Sequence, residues 1–332
     1  MNDAFDPENH RRLTTLLDRF QQRAVPHPFD YDWVHHHDGG RHSVHVVFGC
    51  MVHGNEYGSL PAAIRLIDEL NAGTLEFGGR MSVFLGNPEA ALEHRRFLEA
   101  DLNRVFLDTG NDTHEDRRAM ALMPILDAAD VLVDFHQTIR ATARPFYIFA
   151  WNRLAWHWAR ATQATSVWVT RNPTTRFSAG TKCTDEYVTD RGRPGMTLEL
   201  SEKGFSDEAE ALCWTAITNT LAAADAVGAG ADIEALAGAQ PDFRFLTTAH
   251  AEPFTDPAQT LRPGLVNFQA VRAGDALNAP GTPPMHAPRD GELLFPKYPP
   301  RQDGRAVAPW PHEVYRLVVP MDDHPDREWG PA

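Results

Sequence analysis

The chain is poor in cysteine, with only Cys50, Cys183 and Cys213 among its 332 residues. They are far apart, form no CxxC pair and cannot make an even disulfide framework, so three free thiols in a reducing compartment are expected. Long apolar runs are also missing. None approaches the ~20 residues of a bilayer-spanning helix, so no membrane partner is expected. The opening stretch, "MNDAFDPENHRRLTTLLDRF", lacks the basic segment and apolar core of a secretory leader, which makes a cytoplasmic location the expectation. Positive charge is short as well. Against 45 Asp and Glu there are 31 Lys and Arg, a formal charge of −14. That balance argues against a nucleic-acid partner, whose phosphates demand a cationic surface. It does not exclude a small anionic substrate, because a few arginines in a cleft reverse the local field. No GxSxG stretch is present, so a serine-hydrolase elbow is not expected.

What the sequence does have is alternating strand and helix patterns. Leu13, Leu16, Leu17 and Phe20 recur at helical spacing within the first 30 residues. "DWVHHHDGGRH" (Asp32 to His42) reads as a turn-rich connector. Its three adjacent histidines cannot all face one ion on a strand, since neighbours point to opposite faces, and they read as solvated surface. "SVHVVFGCMV" (Ser43 to Val52), "RMSVFLGNP" (Arg80 to Pro88), "DVLVDFHQT" (Asp130 to Thr138), "PFYIFAW", "TSVWVTR" and "GMTLELSEKG" (Gly195 to Gly204) are largely apolar runs of the kind buried in a parallel sheet. Helical patterns separate most of them, and the longest opens on the start signal Ser206. This alternation predicts an α/β fold, a mostly parallel mixed sheet flanked by helices. After about residue 240, proline and glycine become frequent and only short strand-like segments remain. Two domains are expected: an α/β domain over 1–240, and a smaller, mostly β domain over 241–332 that helps to cover the site.

In open α/β sheets, ligands bind outside the carboxyl ends of the strands. Three strands here end in residues able to ligate or activate. "FGCMVHGNEYGSL" delivers His53 and, three residues later, Glu56. "DVLVDFH" ends at His136, and "TLEL" carries Glu199. Two imidazoles and a carboxylate, with a fourth position for water, make a catalytic zinc shell. Such a metal acidifies water, and a separate glutamate can take the proton. An HxxE pair alone is common by chance, and a lone histidine after a strand is more often structural. Glu199 says more, because a carboxylate in an apolar strand is costly to bury without a partner or a cleft. A salt bridge to an arginine would satisfy it equally. Asp134, two residues before His136, is placed either to hold the imidazole or to cap the strand.

"NPEAALEHRRFLEADLNRVF" (Asn87 to Phe106) follows a strand without a clean apolar period and carries Arg95, Arg96, Asp101, Asn103 and Arg104. Forked guanidinium donors suit a carboxylate-bearing ligand. A helix with a solvated basic face explains the composition equally well.

Taken in order, "HGNE", "NPEA…RRFLEADLNRVF", "DFHQT" and "TLEL" resemble the succinylglutamate desuccinylase/aspartoacylase family, within the zinc carboxypeptidase-like fold group. The resemblance covers roughly residues 40–225 and reaches weakly into "NFQAVRAGDAL" and "APRDGELLFP". It implies one zinc ion per chain, held by His53, Glu56 and His136. It implies Glu199 as general base and Arg96 as the residue that polarises the scissile carbonyl, with Arg95 as the neighbour in an adjacent register. Asn103 and Arg104 match a pair that holds a substrate carboxylate, while Asp101 would brace the loop. A further substrate-binding arginine falls nearest Arg191, with Arg193 competing. A tyrosine from the C-terminal part falls at Tyr298, with Tyr315 as rival. Ser201 stands where a glycine often follows the catalytic glutamate, and Tyr57 and Pro61 enter the helix after "HGNE". These departures bear on the substrate rather than the chemistry.

The expected activity is a zinc-dependent amidohydrolase cleaving a carboxylate-bearing N-acyl amino acid, with N-succinylglutamate the first candidate and N-acetylaspartate or another N-acyl amino acid the second. The alternative is a metallocarboxypeptidase acting on a peptide or peptidoglycan fragment, which the same shell and base would serve. A binding protein that kept the fold is disfavoured, because the ligands and the base are all present. A homo-oligomer is left open.

Overall fold

A computed structural model describes residues 6–23, 27–238, 243–308 and 310–321. The strands are β1 (Val34–Asp38), β2 (His45–Cys50), β3 (Arg80–Leu85), β4 (Val131–Thr138), β5 (Phe146–Ile148), β6 (Val167–Thr170) and β7 (Gly195–Glu202), followed by β8 (Arg244–Pro253), β9 (Ala270–Val271), β10 (Gly291–Leu294), β11 (Arg301–Gln302), β12 (Arg305–Ala306) and β13 (Glu313–Pro320). Among the described residues, eleven of them form one sheet in the order β1-β3-β2-β4-β7-β5-β6-β8-β13-β10-β9, and β11 and β12 make a separate hairpin. The block β3-β2-β4-β7 is parallel throughout. β1 runs antiparallel at the edge and β5 antiparallel to β7.

Helices cover both faces, and the strand sequences show why. In β2, Val46, Phe48 and Cys50 pack on one side with α1 (Pro7–Gln22), α2 (Leu60–Ala72), α5 (Arg153–Thr162) and α7 (Asp207–Gly228), whereas Val47 packs on the other with α4 (His114–Asp127) and α6 (Thr184–Thr189). A strand buried at every position must be covered twice. The short α3 (Pro88–Leu92) leads into the arginine-bearing loop, and α8 (Ile233–Gly238) closes the helical region. α1 buries Leu13, Leu16, Leu17 and Phe20, each contributing about 1.5–3 kcal/mol by leaving water. Pro61 lies in the first turn of α2, where a missing N–H costs nothing. Ser206 caps α7, its hydroxyl accepting from the Ala209 N–H at 3.1 Å.

The α/β fold read from the sequence is the observed one. One segment differs. The connector expected at Asp32 to His42 contains β1, which pairs with β3 from Val34↔Phe84 to Asp38↔Arg80. The unpaired edge of β3 recruits it, and its histidines alternate between faces. His36 Nδ1 and His45 Nε2 both meet Ser82 Oγ at 2.9 Å. The boundary expected at 240/241 lies outside the described residues. Beyond it the elements are strands, and β8 continues the main sheet by running parallel to β6. A core of its own, including Leu261, Leu277, Leu293 and Leu317, supports this part.

Candidate active site

β2 and β4 deliver the candidate metal-ligating set at their carboxyl ends. After β2 the chain turns through Met51, which takes a left-handed conformation (φ 55°) unusual for a side chain of its size. Gly54 follows His53 where no side chain fits: a Cβ there would lie 2.5 Å from the Ala91 nitrogen and 2.6 Å from the Arg95 oxygen. The turn brings Glu56 back beneath His53. His53 Nδ1 lies 3.0 Å from Glu56 Oε1, His136 Nδ1 lies 2.9 Å from Glu56 Oε2, and the two Nδ1 atoms are 3.1 Å apart. All three residues are buried.

The far side of each ring faces a carboxylate. His53 Nε2 is 2.9 Å from Asp101 Oδ1, and His136 Nε2 is 3.0 Å from Asp134 Oδ2. A carboxylate can only accept, so Asp134 favours a ring hydrogen on His136 Nε2 and a lone pair on Nδ1; at His53, Asp101 does the same while the Arg96 guanidinium, a donor 2.7 Å from Nε2, competes with it. Lone pairs on the two Nδ1 atoms and a carboxylate oxygen facing one another repel unless positive charge lies between them, either a metal ion or a proton on His136 Nδ1 shared with Glu56. Ligand atoms around a tetrahedral zinc stand about 3.3 Å apart, close to the separations found here. Burial alone would raise the Asp101 and Glu56 carboxyls, but the His53 and Arg96 charges outweigh it and hold both well below the ordinary range. Burial opposes charge on His136, yet Asp134 and Glu56 overcome that and raise its pKa well above normal. The negative field that does this favours a bound metal. Among the described residues, His53, Glu56 and His136 are the group able to hold one.

Glu199 sits opposite His136 in the β4–β7 pairing. Its Oε2 is buried without a hydrogen-bond partner. Burial, reinforced by the Glu56 charge, pushes its pKa up to about 8. The salt bridge to an arginine that would have made Glu199 structural is absent among the described residues. Arg96 reaches the set from the loop after α3: Nη1 donates to Glu56 Oε1 at 2.6 Å, and Nη2 is 2.7 Å from His53 Nε2. Arg95 turns away, donating to the Leu98 carbonyl at 2.5 Å. Asp101 braces the loop by accepting from the Asn103 N–H at 3.0 Å. Arg104 is half-buried beside it and donates to Cys183 Sγ at 3.4 Å. Asn103 is committed elsewhere: its Oδ1 accepts from the Thr184 N–H at 3.0 Å, and its Nδ2 lies 3.4 Å from His136 Nε2.

Four residues named from the sequence as substrate contacts, or as their rivals, are not brought to this group. Arg191 Nε is 2.5 Å from Asp127 Oδ1, and its guanidinium lies 3.5 Å over the Tyr187 ring. Asp127 ends α4 just before β4 begins, at the amino end of the sheet, away from His136. Arg193 is held there too, donating to the Ala129 carbonyl at 2.7 Å. The Tyr298 hydroxyl donates to the Arg262 carbonyl at 2.8 Å and accepts from the Leu265 N–H, so it closes the C-terminal core instead of entering the site. Its rival Tyr315 is buried in that same core.

Two organising residues were given no role from the sequence. Glu115 of α4, fully buried, accepts from Asn87 Nδ2 (3.0 Å) and from the N–H groups of Leu98 (2.6 Å), Glu99 (3.0 Å) and Ala100 (2.9 Å), which anchors the arginine loop. Gln137 ties the loop after β2 to the end of β7. Its Oε1 accepts from Gly58 N–H at 2.8 Å, and its Nε2 donates to the Glu202 and Gly204 carbonyls, each at 2.9 Å. Position 58 must be glycine for this, since a Cβ would lie 2.4 Å from Gln137 Nε2.

Fold and site together define an α/β protein of the carboxypeptidase-like kind with a buried His–Glu–His group at the carboxyl end of its parallel strands. Known proteins place it more narrowly. The profile of the succinylglutamate desuccinylase/aspartoacylase catalytic domain matches residues 42–227, more than half of the chain. The chain belongs to that family, as its four ordered motifs implied. It is 28% identical over 172 residues to a succinylglutamate desuccinylase of Pseudomonas fluorescens, covering 46% of this chain and 48% of the relative. To that of Vibrio campbellii it is 33% identical over 100 residues, covering 30% and 28%. The matched stretch thus spans less than half the length of these relatives. The crystal structure of succinylglutamate desuccinylase from Vibrio cholerae superposes with a TM-score of 0.64 at 18% identity, covering 87% of this chain and 86% of the other, a likeness of fold.

Proposed function

We propose that the protein is a zinc-dependent amidohydrolase that cleaves the amide of a carboxylate-bearing N-acyl amino acid. The observation that carries this reading is the meeting of the Nδ1 atoms of His53 and His136 with Glu56, each ring backed by a carboxylate, beside a buried Glu199 oxygen with no partner. A bound zinc ion would supply Lewis acidity, polarising the carbonyl and making water more acidic. The chain's own residues do the rest. Glu199 Oε2 takes a proton from the attacking water and passes it to the leaving amine. Arg96 offers its guanidinium to the carbonyl oxygen as negative charge builds there. Arg104, half-buried and without a carboxylate partner among the described residues, takes a substrate carboxylate, and Asn103 holds Arg104's loop against α6 and His136. Asp134 and Asp101 keep the two imidazoles in the ligating tautomer.

A small substrate is favoured over a long peptide because the C-terminal region packs beside the strand that carries Glu199: Phe295 lies 6.0 Å from Phe146, which pairs with Glu199. The test is a screen of N-acyl amino acids on protein of known metal content, with products read by mass spectrometry. Turnover should fall by roughly 10²- to 10⁴-fold in Glu199→Gln while metal remains bound. Protein without zinc, whose activity zinc does not restore, would sink the reading.

A further inference from the structure

Arg191, expected to supply a second cation for the substrate, lies at the wrong end of the sheet. The C-terminal region places two cations near Arg104 instead. Arg104 stacks on the Phe177 ring at 4.8 Å, and Arg316 of β13 stacks on the same ring at 4.2 Å. Arg316 Nε is held by both oxygens of Glu313, at 2.9 and 3.0 Å, and Glu313 Oε1 also accepts from Lys297 Nζ at 3.1 Å. Lys297 stands two residues after Phe295, whose ring meets both Phe146 and Phe177. Since Phe146 is the cross-strand partner of Glu199, this segment runs along the wall of the site. Arg96 belongs to the same field. After burial, its charge is among those that lower the Lys297 pKa. Lys297 and Arg316 together outnumber Glu313 by one positive charge. Arg316 is closed in, with Nη2 donating to the Phe177 carbonyl at 3.3 Å. Lys297 has three N–H donors, and Glu313 accounts for one of them.

We propose that Lys297 binds a second anionic group of the substrate, one that Arg104 does not take, and so selects dianionic over monoanionic N-acyl amino acids. The proposal rests on the N-acyl hydrolase reading above. The second carboxylate can sit on the acyl chain or on the amino-acid side chain, and two substrate pairs separate these sources: N-succinyl- against N-butyryl-L-alanine, and N-acetyl-L-glutamate against N-acetyl-L-glutamine.

The experiment measures kcat/KM for both pairs in wild type, Lys297→Met and Lys297→Arg, with the melting temperature of each variant. In Lys297→Met, the dianionic-to-monoanionic preference should fall roughly 10- to 100-fold in one pair, mainly through KM, as expected for loss of a charge-assisted hydrogen bond. Lys297→Arg should restore much of it. An unchanged preference in both pairs overturns the assignment, and leaves Lys297 as a staple between Glu313 and the rest of the fold. Wild-type protein that hydrolyses none of the four substrates overturns the N-acyl reading itself.

Discussion

Replacing Glu115 by glutamine tests whether the arginine loop is held in place or merely passes through it. The Glu115 carboxylate accepts four hydrogen bonds, three of them from consecutive backbone N–H groups at Leu98, Glu99 and Ala100. Glutamine keeps one accepting oxygen and turns an NH2 toward donors that have nowhere else to go. Two bonds to a charged acceptor are lost, at about 1.5–3 kcal/mol each, so the variant should lose roughly 3–6 kcal/mol. For a chain of this size that is a fall in melting temperature of roughly 5–10 °C, read by calorimetry. The loop carries Arg96, Asp101 and Arg104, so kcat/KM should fall as well, even where the variant is fully folded. The pH dependence has a definite sign. Burial raises the Glu115 carboxyl, but its hydrogen bonds outweigh that and hold it below the ordinary value. A depressed folded-state pKa contributes stability that is present above the unfolded value of about 4.3 and is lost as pH falls through the folded one. Wild type and Glu115→Gln should therefore converge in stability in strong acid. A variant that melts with wild type at pH 7 and keeps its kcat/KM would refute the reasoning.

Two further predictions follow from the groups around the metal-ligating set. Asp134→Asn removes the carboxylate behind His136, leaving an amide that can present either a donor or an acceptor to Nε2; metal affinity, read by chelator competition, should drop about 10- to 100-fold, and an unchanged affinity would assign Asp134 to the fold alone. Gln137→Leu breaks the tie between Gly58 and the carbonyls after β7. It should lower kcat more than it raises KM, because Glu199 and Glu56 lose their mutual register, and equal effects on both constants would argue against that role.

The meeting of His53, Glu56 and His136, a group able to hold a metal, was legible because each member closes a strand: His53 and Glu56 after β2, and His136 near the end of β4. Glu199 was legible because a carboxylate amid "TLEL" needs a reason. Arg191 misled because sequence distance is silent about strand direction. It precedes β7, and from Gly195 to Glu199 the chain travels about 13 Å at ~3.3 Å per residue, which puts Arg191 at the opposite end of the sheet. Tyr298 misled because neighbouring residues on an extended segment face different ways: its hydroxyl closes the C-terminal core, while Lys297 faces the charged wall. Glu115 and Gln137 were invisible because what they bind lies 15 or more and 65 or more residues away for most of their contacts. β1 was missed because its strand character comes from the edge of β3 and not from "VHHHD" itself.

The central claim is tested most directly by the metal content of purified wild-type and His136→Ala protein, read beside hydrolysis of an N-acyl amino acid before and after chelation. Wild-type protein should carry close to one zinc per chain, His136→Ala should lose that metal, and activity should disappear with chelation and return with zinc. A wild-type protein that carries no metal and hydrolyses the same substrate at full rate in the presence of chelator would contradict it.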